Sequence, residues 1–264
     1  MTNVPTARVD ALYRYPVKGL SPERLEHAAL EAGAYFPGDR LFAIENGPAG
    51  FDAQAPQHQP KIKFLMLMRD ERLAQLRTRY EPETNTLSIE QDGHPALHAD
   101  LSTERGRGDV QAFFESFMPG ELRGPPKVLA APRAFRFTDS RGGYVSIVNL
   151  ASLAAIEKLV GAPVHPSRFR ANVYVSGWPA WHEANLVGQE IKVGSSIRLK
   201  ITKRIPRCAA TEVDPATGAR DLPIPRALRE AFGHVDCGIY AEVIEGGPIA
   251  PGDKVDAYAP ALPL

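Results

Sequence analysis

The sequence predicts a mainly β chain with a few helices (α+β), closed as a barrel rather than laid out as a doubly wound parallel sheet. Three observations carry that prediction. Proline and glycine, 24 and 22 of 264 residues, cut the chain into short segments, the punctuation of strands and turns. Several of those segments alternate apolar and polar side chains. Helical stripes are few, and they do not alternate regularly with strands as βαβ units would.

Taken in order, residues 9–17 alternate before reaching Lys18-Gly19, a half-buried strand running into a turn. Residues 40–45 are a second short strand, entered through Pro37-Gly38-Asp39, and residues 47–60 are loop by composition. Residues 61–68 and 75–80 are expected strands. Residues 86–90 and 96–99 form a hairpin around Gln91-Asp92-Gly93, since Asp-Gly tolerates the positive φ of a tight turn. Val110, Phe113, Phe114 and Phe117 recur at helical spacing, with Asp109 as cap and Pro119-Gly120 as stop. The Gly/Pro-rich run at 122–126 then divides the chain into expected domains 1–122 and 123–264. Leu150, Leu153, Ile156 and Leu159 make a second stripe, capped by Asn149 and ended by Gly161-Ala162-Pro163. Both stripes read as core faces. A short helix at 225–232 opens on proline and closes at Gly233. The remaining strands are expected at 171–175, 190–193, 197–203, 239–244 and 254–258.

Thirty-one Lys and Arg balance 31 Asp and Glu, so no global field recruits nucleic acid or an anionic membrane. Arginine carries most of the basic charge, and its planar fork suits phosphate and carboxylate. Two cysteines, Cys208 and Cys237, do not make a disulfide framework, and a reducing cytoplasm is the expected compartment. Residues 1–10 lack the regions of a secretory signal, and no run approaches the roughly 20 apolar residues of a membrane helix.

Standard catalytic motifs are missing. There is no P-loop, no Gly-x-Gly-x-x-Gly after a strand, no Cys-x-x-Cys and no Gly-x-Ser-x-Gly, while His182-Glu183 lacks the second histidine of a zinc hydrolase. What remains is Cys208, set between Arg207 and the turn-forming Val213-Asp214-Pro215. Neighbouring arginines favour the thiolate, the form that attacks or binds metal. A small buried cysteine without reactivity fits the same residues. Lys18-Gly19 and Arg40 sit at strand ends, where an ammonium, a guanidinium and backbone donors could meet an anion. Arg168, Arg170 and Asn172, if on a strand, share one face, either solvated or wrapped around an anion.

The order of blocks is more specific than any one of them. Tyr13-Arg14-Tyr15-Pro16-Val17-Lys18-Gly19 is followed by Gly38-Asp39-Arg40-Leu41-Phe42, then Ser146-Ile147-Val148-Asn149-Leu150 and Arg168-Phe169-Arg170-Ala171-Asn172. Arg207-Cys208 with Thr211-Glu212-Val213-Asp214-Pro215 comes next, and Gly246-Gly247-Pro248 to Gly252-Asp253-Lys254 closes the series. The series resembles the molybdenum cofactor sulfurase C-terminal (MOSC) domain proteins. It is most similar to those with an N-terminal MOSC β-barrel domain, the group that includes the mitochondrial amidoxime-reducing component and its bacterial relatives.

The resemblance implies an N-terminal β-barrel-like domain followed by a MOSC β-barrel with a few flanking helices. It implies a molybdenum cofactor (molybdopterin with Mo) and reduction of N-hydroxylated or N-oxygenated small molecules by oxygen-atom transfer. Cys208 stands at the catalytic, metal-ligating position, where a soft thiolate beside dithiolene sulfurs suits molybdenum. Lys18, Gly19, Arg40, Asn149, Ser152, Arg168, Arg170, Asn172 and Arg207 stand at cofactor-binding positions, the arginines matching its phosphate. Gly19 departs from the family's serine and leaves a backbone N–H in place of a hydroxyl. Neither a ferredoxin-like extension nor a hydrophobic anchor is expected. Electrons would then come from a separate protein of ferredoxin, flavodoxin or cytochrome/flavin reductase type, with no nucleic-acid or membrane partner and a monomeric chain. Pyridoxal phosphate is not expected. The alternative is a sulfur carrier or cofactor-handling protein using a Cys208 persulfide. A degenerate domain without metal is opposed by the intact Arg207-Cys208 pair. Asp214 and His182 are candidate proton donors, and Cys237 reads as structural.

Overall fold

The computed structural model describes residues 6–142 and 144–257. Its first half runs β1 (Ala7–Arg14), β2 (Glu23–Leu25), β3 (Ala28–Leu30), β4 (Phe42–Asn46), β5 (Leu76–Glu81), β6 (Thr86–Gln91), β7 (His94–Asp100), α1 (Glu104–Phe117) and β8 (Pro126–Ala130). The second half runs β9 (Tyr144–Asn149), α2 (Leu150–Val160), β10 (Val173–Ser176), β11 (Glu190–Val193), β12 (Ile197–Pro206), α3 (Ile224–Phe232), β13 (Asp236–Glu245), β14 (Gly247–Ile249) and β15 (Lys254–Ala257). Among the described residues the chain is mostly β, with three α-helices, as the sequence predicts.

Seven strands form a closed barrel in the order β10-β9-β13-β12-β11-β15-β1, and β1 completes the ring by pairing antiparallel with β10. Val145 and Ile147 of β9, Ile197, Leu199 and Ile201 of β12, and Ile239, Ala241 and Val243 of β13 fill the interior. Period-two alternation sends those side chains inward. Tyr144, Ser146 and Tyr240 therefore stand on the outer wall, where the first half of the chain packs and a pocket forms. The first strand of the chain thus belongs to the barrel that the second half builds.

The rest of the first half has its own core. Sheet β5-β6-β7 and helix α1 enclose Leu76, Leu87, Ile89, Val110 and Phe114, while β4 pairs with β8. Asp92 and Gly93 both have positive φ in the β6–β7 turn, the backbone that an Asp-Gly pair supplies.

Three local expectations change. Helix α1 begins at Glu104 rather than after Asp109, because the Thr103 hydroxyl accepts from Gly106 N at 3.0 Å and supplies the cap. Residues 61–68 are not a strand. Lys61–Lys63 form a 3-10 turn, Phe64 makes one bridge to Glu45, and the Asp70 carboxylate accepts from Met66 N and turns the chain away. Arg168, Arg170 and Asn172 do not alternate along a strand either. Pro166–Phe169 is a 3-10 turn and Arg170 is left-handed at φ 51°, so β10 begins only at Val173. The Asn149 cap of α2 and the Gly161 and Gly233 stops stand as expected. Strand β15 is described to Ala257, and Tyr258 lies outside the described residues. Among the described residues no helix is long and apolar enough to cross a membrane.

Candidate functional site

The outer wall of the barrel meets the first half of the chain in a pocket of about 380 Å³. Lys18, Gly19, Arg40, Arg168, Arg170, Asn172, Arg207 and Cys208 all line it. Seven cations (Lys18, Arg40, Lys61, Arg168, Arg170, Lys203, Arg207) face two carboxylates, Asp39 and Asp139. In a chain whose formal charges cancel, this is a local excess of five positive charges, which concentrates anions.

Two arginines from opposite halves share one ring. The guanidinium carbons of Arg40 and Arg170 lie 4.4 and 4.3 Å from the centre of the Tyr15 ring, a cation–π arrangement that holds both in place. Arg40 also bonds the Asp39 carboxylate and donates to Arg170 O at 3.1 Å. Arg170 donates one Nη to Leu20 O at 2.8 Å, while its other Nη is buried with no partner. Burial, and then the neighbouring Arg40 charge, lower the Arg170 pKa to about 10. Arg207 spends Nε on Cys237 O and one Nη on Phe169 O, leaving its second Nη buried and unpartnered.

Arg168 and Asn172, brought here by the segment before β10, have different work. Arg168 is 4% exposed and holds the cysteine loop. It bonds Thr211 O and Glu212 O, and pairs with Asp214 at 3.2 Å and Asp221 at 2.8 Å, so only its Nε lacks a partner. Asn172 is consumed by the wall, accepting from Ser146 N and Oγ and donating to Tyr13 O.

Lys18 reaches across to Phe137 O at 2.9 Å and to the Asp139 carboxylate. Burial lowers the Lys18 pKa against the pull of Asp139. Burial pushes Asp139 up, but Lys18, Lys61 and Arg40 outweigh it and hold its pKa at about 2. Gly19 takes φ 84°, and a Cβ there would lie 2.9 Å from Leu65 O. A serine could not be seated at Gly19 without strain, so the departure from the family pattern is built into this backbone.

Cys208 lies where β12 ends, half-buried and free, followed by the 3-10 turn Ala209–Glu212. Thr211 N and Oγ1 both bond Cys208 O at 3.0 Å and fix the backbone. Lys61 approaches the thiol from the first half. Burial opposes its charge, but Asp139 and Cys208 together raise the Lys61 pKa. Among the described residues no group of three or more His, Cys, Asp or Glu side chains converges as a metal site. A metal at Cys208 would therefore take its other ligands from a cofactor.

Two predicted site residues lie elsewhere. Asn149 and Ser152 are absent from the residues lining this pocket. Both bond the buried Glu183 carboxylate, at 3.1 and 2.7 Å, and the Asn149 side chain also caps α2. His182 is in that second region, beside Trp178 and away from Cys208. Asp214 takes Ala216 N and Thr217 N and so builds its own turn. Cys237 is 2% exposed, and burial pushes its thiol up to about 12, as suits a structural cysteine. Sequence reasoning missed Lys61, Asp139, Tyr144, Lys203 and Tyr240. The signal for Tyr240 was strand alternation along β13, whereas Lys61 and Asp139 sit in irregular segments with none.

The family models resolve what this architecture is. A MOSC N-terminal beta barrel domain matches residues 6–120, and a MOSC domain matches residues 134–256. The chain is a MOSC domain protein with an N-terminal MOSC beta barrel domain. Mitochondrial amidoxime reducing component 2 of Bos taurus is 30% identical over 123 residues, covering 42% of this MOSC chain and 36% of the bovine protein. Among solved structures, the YUAD protein from Bacillus subtilis aligns over 96% of this chain and 97% of its own at 17% identity and TM-score 0.45. YiiM from Geobacillus stearothermophilus aligns over 44% of this chain and 54% of its own, at 20% identity and TM-score 0.34.

Proposed function

We propose that this MOSC protein is a molybdenum-cofactor-dependent reductase of N-hydroxylated and N-oxygenated compounds, with Cys208 as the protein ligand of the metal. The observation that carries the reading is a cationic pocket with a fixed cysteine on its wall and buried guanidinium donors that no protein group satisfies. Buried unpaired donors are costly, and a phosphorylated anionic cofactor matches them. Kinship to a protein named for amidoxime reduction supports the same substrate class.

When bound, the cofactor supplies two-electron cleavage of an N–O bond; with two electrons and two protons the products are the reduced nitrogen compound and water. Arg170 and Arg207 would hold the cofactor's phosphate through their spare Nη groups, with Arg40 seated beside them on Tyr15. Arg168 positions the loop that carries Cys208. Lys61 keeps positive charge beside the sulfur. Electrons would reach the pocket from a separate redox protein.

The test is metal analysis of protein made in a host competent for molybdopterin synthesis. About one molybdenum per chain, lost in Cys208→Ala, is the expected result. Metal-free protein from that host sinks the reductase reading. A persulfide on Cys208 in such protein would favour a sulfur carrier instead.

A further inference from the structure

The cations of the pocket form two groups. Arg40 and Arg170 meet at Tyr15, beside β1. Lys203 stands at the far side of the wall, because Asn172 N bonds Ser146 O, Ser146 pairs with Tyr240, and Tyr240 pairs with Lys203. Three steps between neighbouring backbones, at about 4.8 Å each, separate Lys203 from Asn172 by roughly 14 Å. The Lys203 ammonium rests over two rings, 5.1 Å from the centre of Tyr144 and 5.5 Å from that of Tyr240. Lys61 is close enough to Tyr240 to feel its charge, with Asp139 and Cys208 as its nearer neighbours.

Ser140 lines the same pocket, in the chain between Asp139 and Gly142. Asp139, before it, bonds Lys18 and pairs with Lys61. Gly142, after it, packs so closely on Tyr144 that a Cβ there would lie 3.1 Å from the ring. The Ser140 hydroxyl is buried, lines the pocket and has no hydrogen-bond partner, with the residue 8% exposed. Buried hydroxyls are ordinarily satisfied, so this one points to a ligand. Of the two carboxylates on the pocket wall, Asp39 is paired with Arg40, and Asp139 is shared by Lys18 and, at 3.7 Å, Lys61.

We propose that Lys203, Lys61 and Ser140 form a second anion subsite, selecting N-oxygenated substrates that carry a carboxylate. The inference rests on the reductase reading for the substrate's reacting group. Its recognition step stands on this end of the pocket alone. The arginine end matches the cofactor's phosphate, which leaves the Lys203 ammonium, a Lys61 ammonium that Asp139 meets only at 3.7 Å, and a spare hydroxyl for a different anion. Tyr144 and Tyr240 supply a flat surface on which an aromatic acid can lie.

The experiment compares benzamidoxime with 4-carboxybenzamidoxime, using full-length protein loaded with molybdenum cofactor and an artificial electron donor. The carboxylated compound is expected to have a kcat/KM about tenfold higher, with the difference in KM, as one charge-assisted contact at a half-open site would give. Lys203→Gln, which keeps the side-chain length, should raise KM for the carboxylated compound and bring the ratio near one. Ser140→Ala should lower the ratio in part. Equal kcat/KM for the two compounds, or a preference that survives Lys203→Gln, overturns the proposal. Calorimetric titration of both compounds runs alongside and does not need turnover. If neither compound is reduced, the reductase reading fails, and the titration still decides the subsite. Tighter binding of the carboxylated compound that Lys203→Gln abolishes upholds it, and equal binding overturns it.

Discussion

At the scale of residues, the four pocket arginines divide by what they already hold. Arg168 ties two carbonyls and two carboxylates together, so Arg168→Ala should cost about 2 kcal/mol in urea denaturation, with those groups left unpaired. Arg170 is the opposite case. Its depressed pKa means that the charged form is disfavoured where it sits, so Arg170→Gln should leave the melting temperature of cofactor-free protein unchanged or higher while lowering molybdenum retention. Loss of stability with full retention would reverse that assignment. Asp139 gives a pH signature. Its folded pKa of about 2 lies below the ordinary carboxylate value near 4, so its ionised form stabilises the fold above about pH 4. That contribution fades as pH falls through about 2. The side chain is half open to the pocket, which screens it and keeps the effect small. The gap in urea midpoint between wild type and Asp139→Asn should be constant from pH 7 to 5 and close toward pH 2.5, and a gap that widens in acid would contradict it. The sequence identified Arg207-Cys208 because the chain joins them, and it identified Arg40 and Arg170 through resemblance. It did not show that Arg168 and Asn172 would be spent on protein groups, since hydrogen-bond partners 26 or more residues away leave no local pattern.

At the scale of elements, α1 contains two glycines with opposite meanings. A Cβ on Gly106 would lie 2.0 Å from Asp100 O, whereas nothing lies within 4 Å of one on Gly108. Gly108→Ala should therefore stabilise the protein by roughly 0.5–1 kcal/mol, the ordinary helix preference. Gly106→Ala should destabilise it by about 2 kcal/mol through overpacking. Thermal melts of the two variants moving in the same direction would refute this account of the helix start. The same glycines explain why periodicity placed that start too late. Arg105-Gly106-Arg107-Gly108 carries no apolar stripe and two helix-weakening residues, and the Thr103 cap with the close backbone approach outweighs both. Stripes with strong punctuation, such as the one from Asn149 to Gly161, were legible throughout. Residues 61–68 and 168–172 were not, because apolar or alternating composition does not reveal a turn imposed by Asp70 or by Pro166 and Arg170.

At the scale of the molecule, a chain without net charge lines one pocket with seven cations and two carboxylates, so its overall charge balance hides the anion site. The two halves are bound across that pocket. Arg220 bonds Met68 O and Glu71, and Arg77 bonds Pro215 O and Ala216 O. The turn after Cys208 is thereby pressed against the first half. Strand order binds them further, since β1 pairs with both β10 and β15. Deleting residues 1–14 should leave the remainder insoluble or without cooperative melting, because two strand edges would be exposed. A soluble, cooperatively melting fragment would disprove it.

That seam also sets a clock. A ribosome releases β1 well before β10 and β15, so that strand must wait about 240 residues before both of its neighbours exist. The barrel behind Cys208 closes only once β15 has emerged, and any cofactor that needs the closed barrel cannot be taken up by the chain before then.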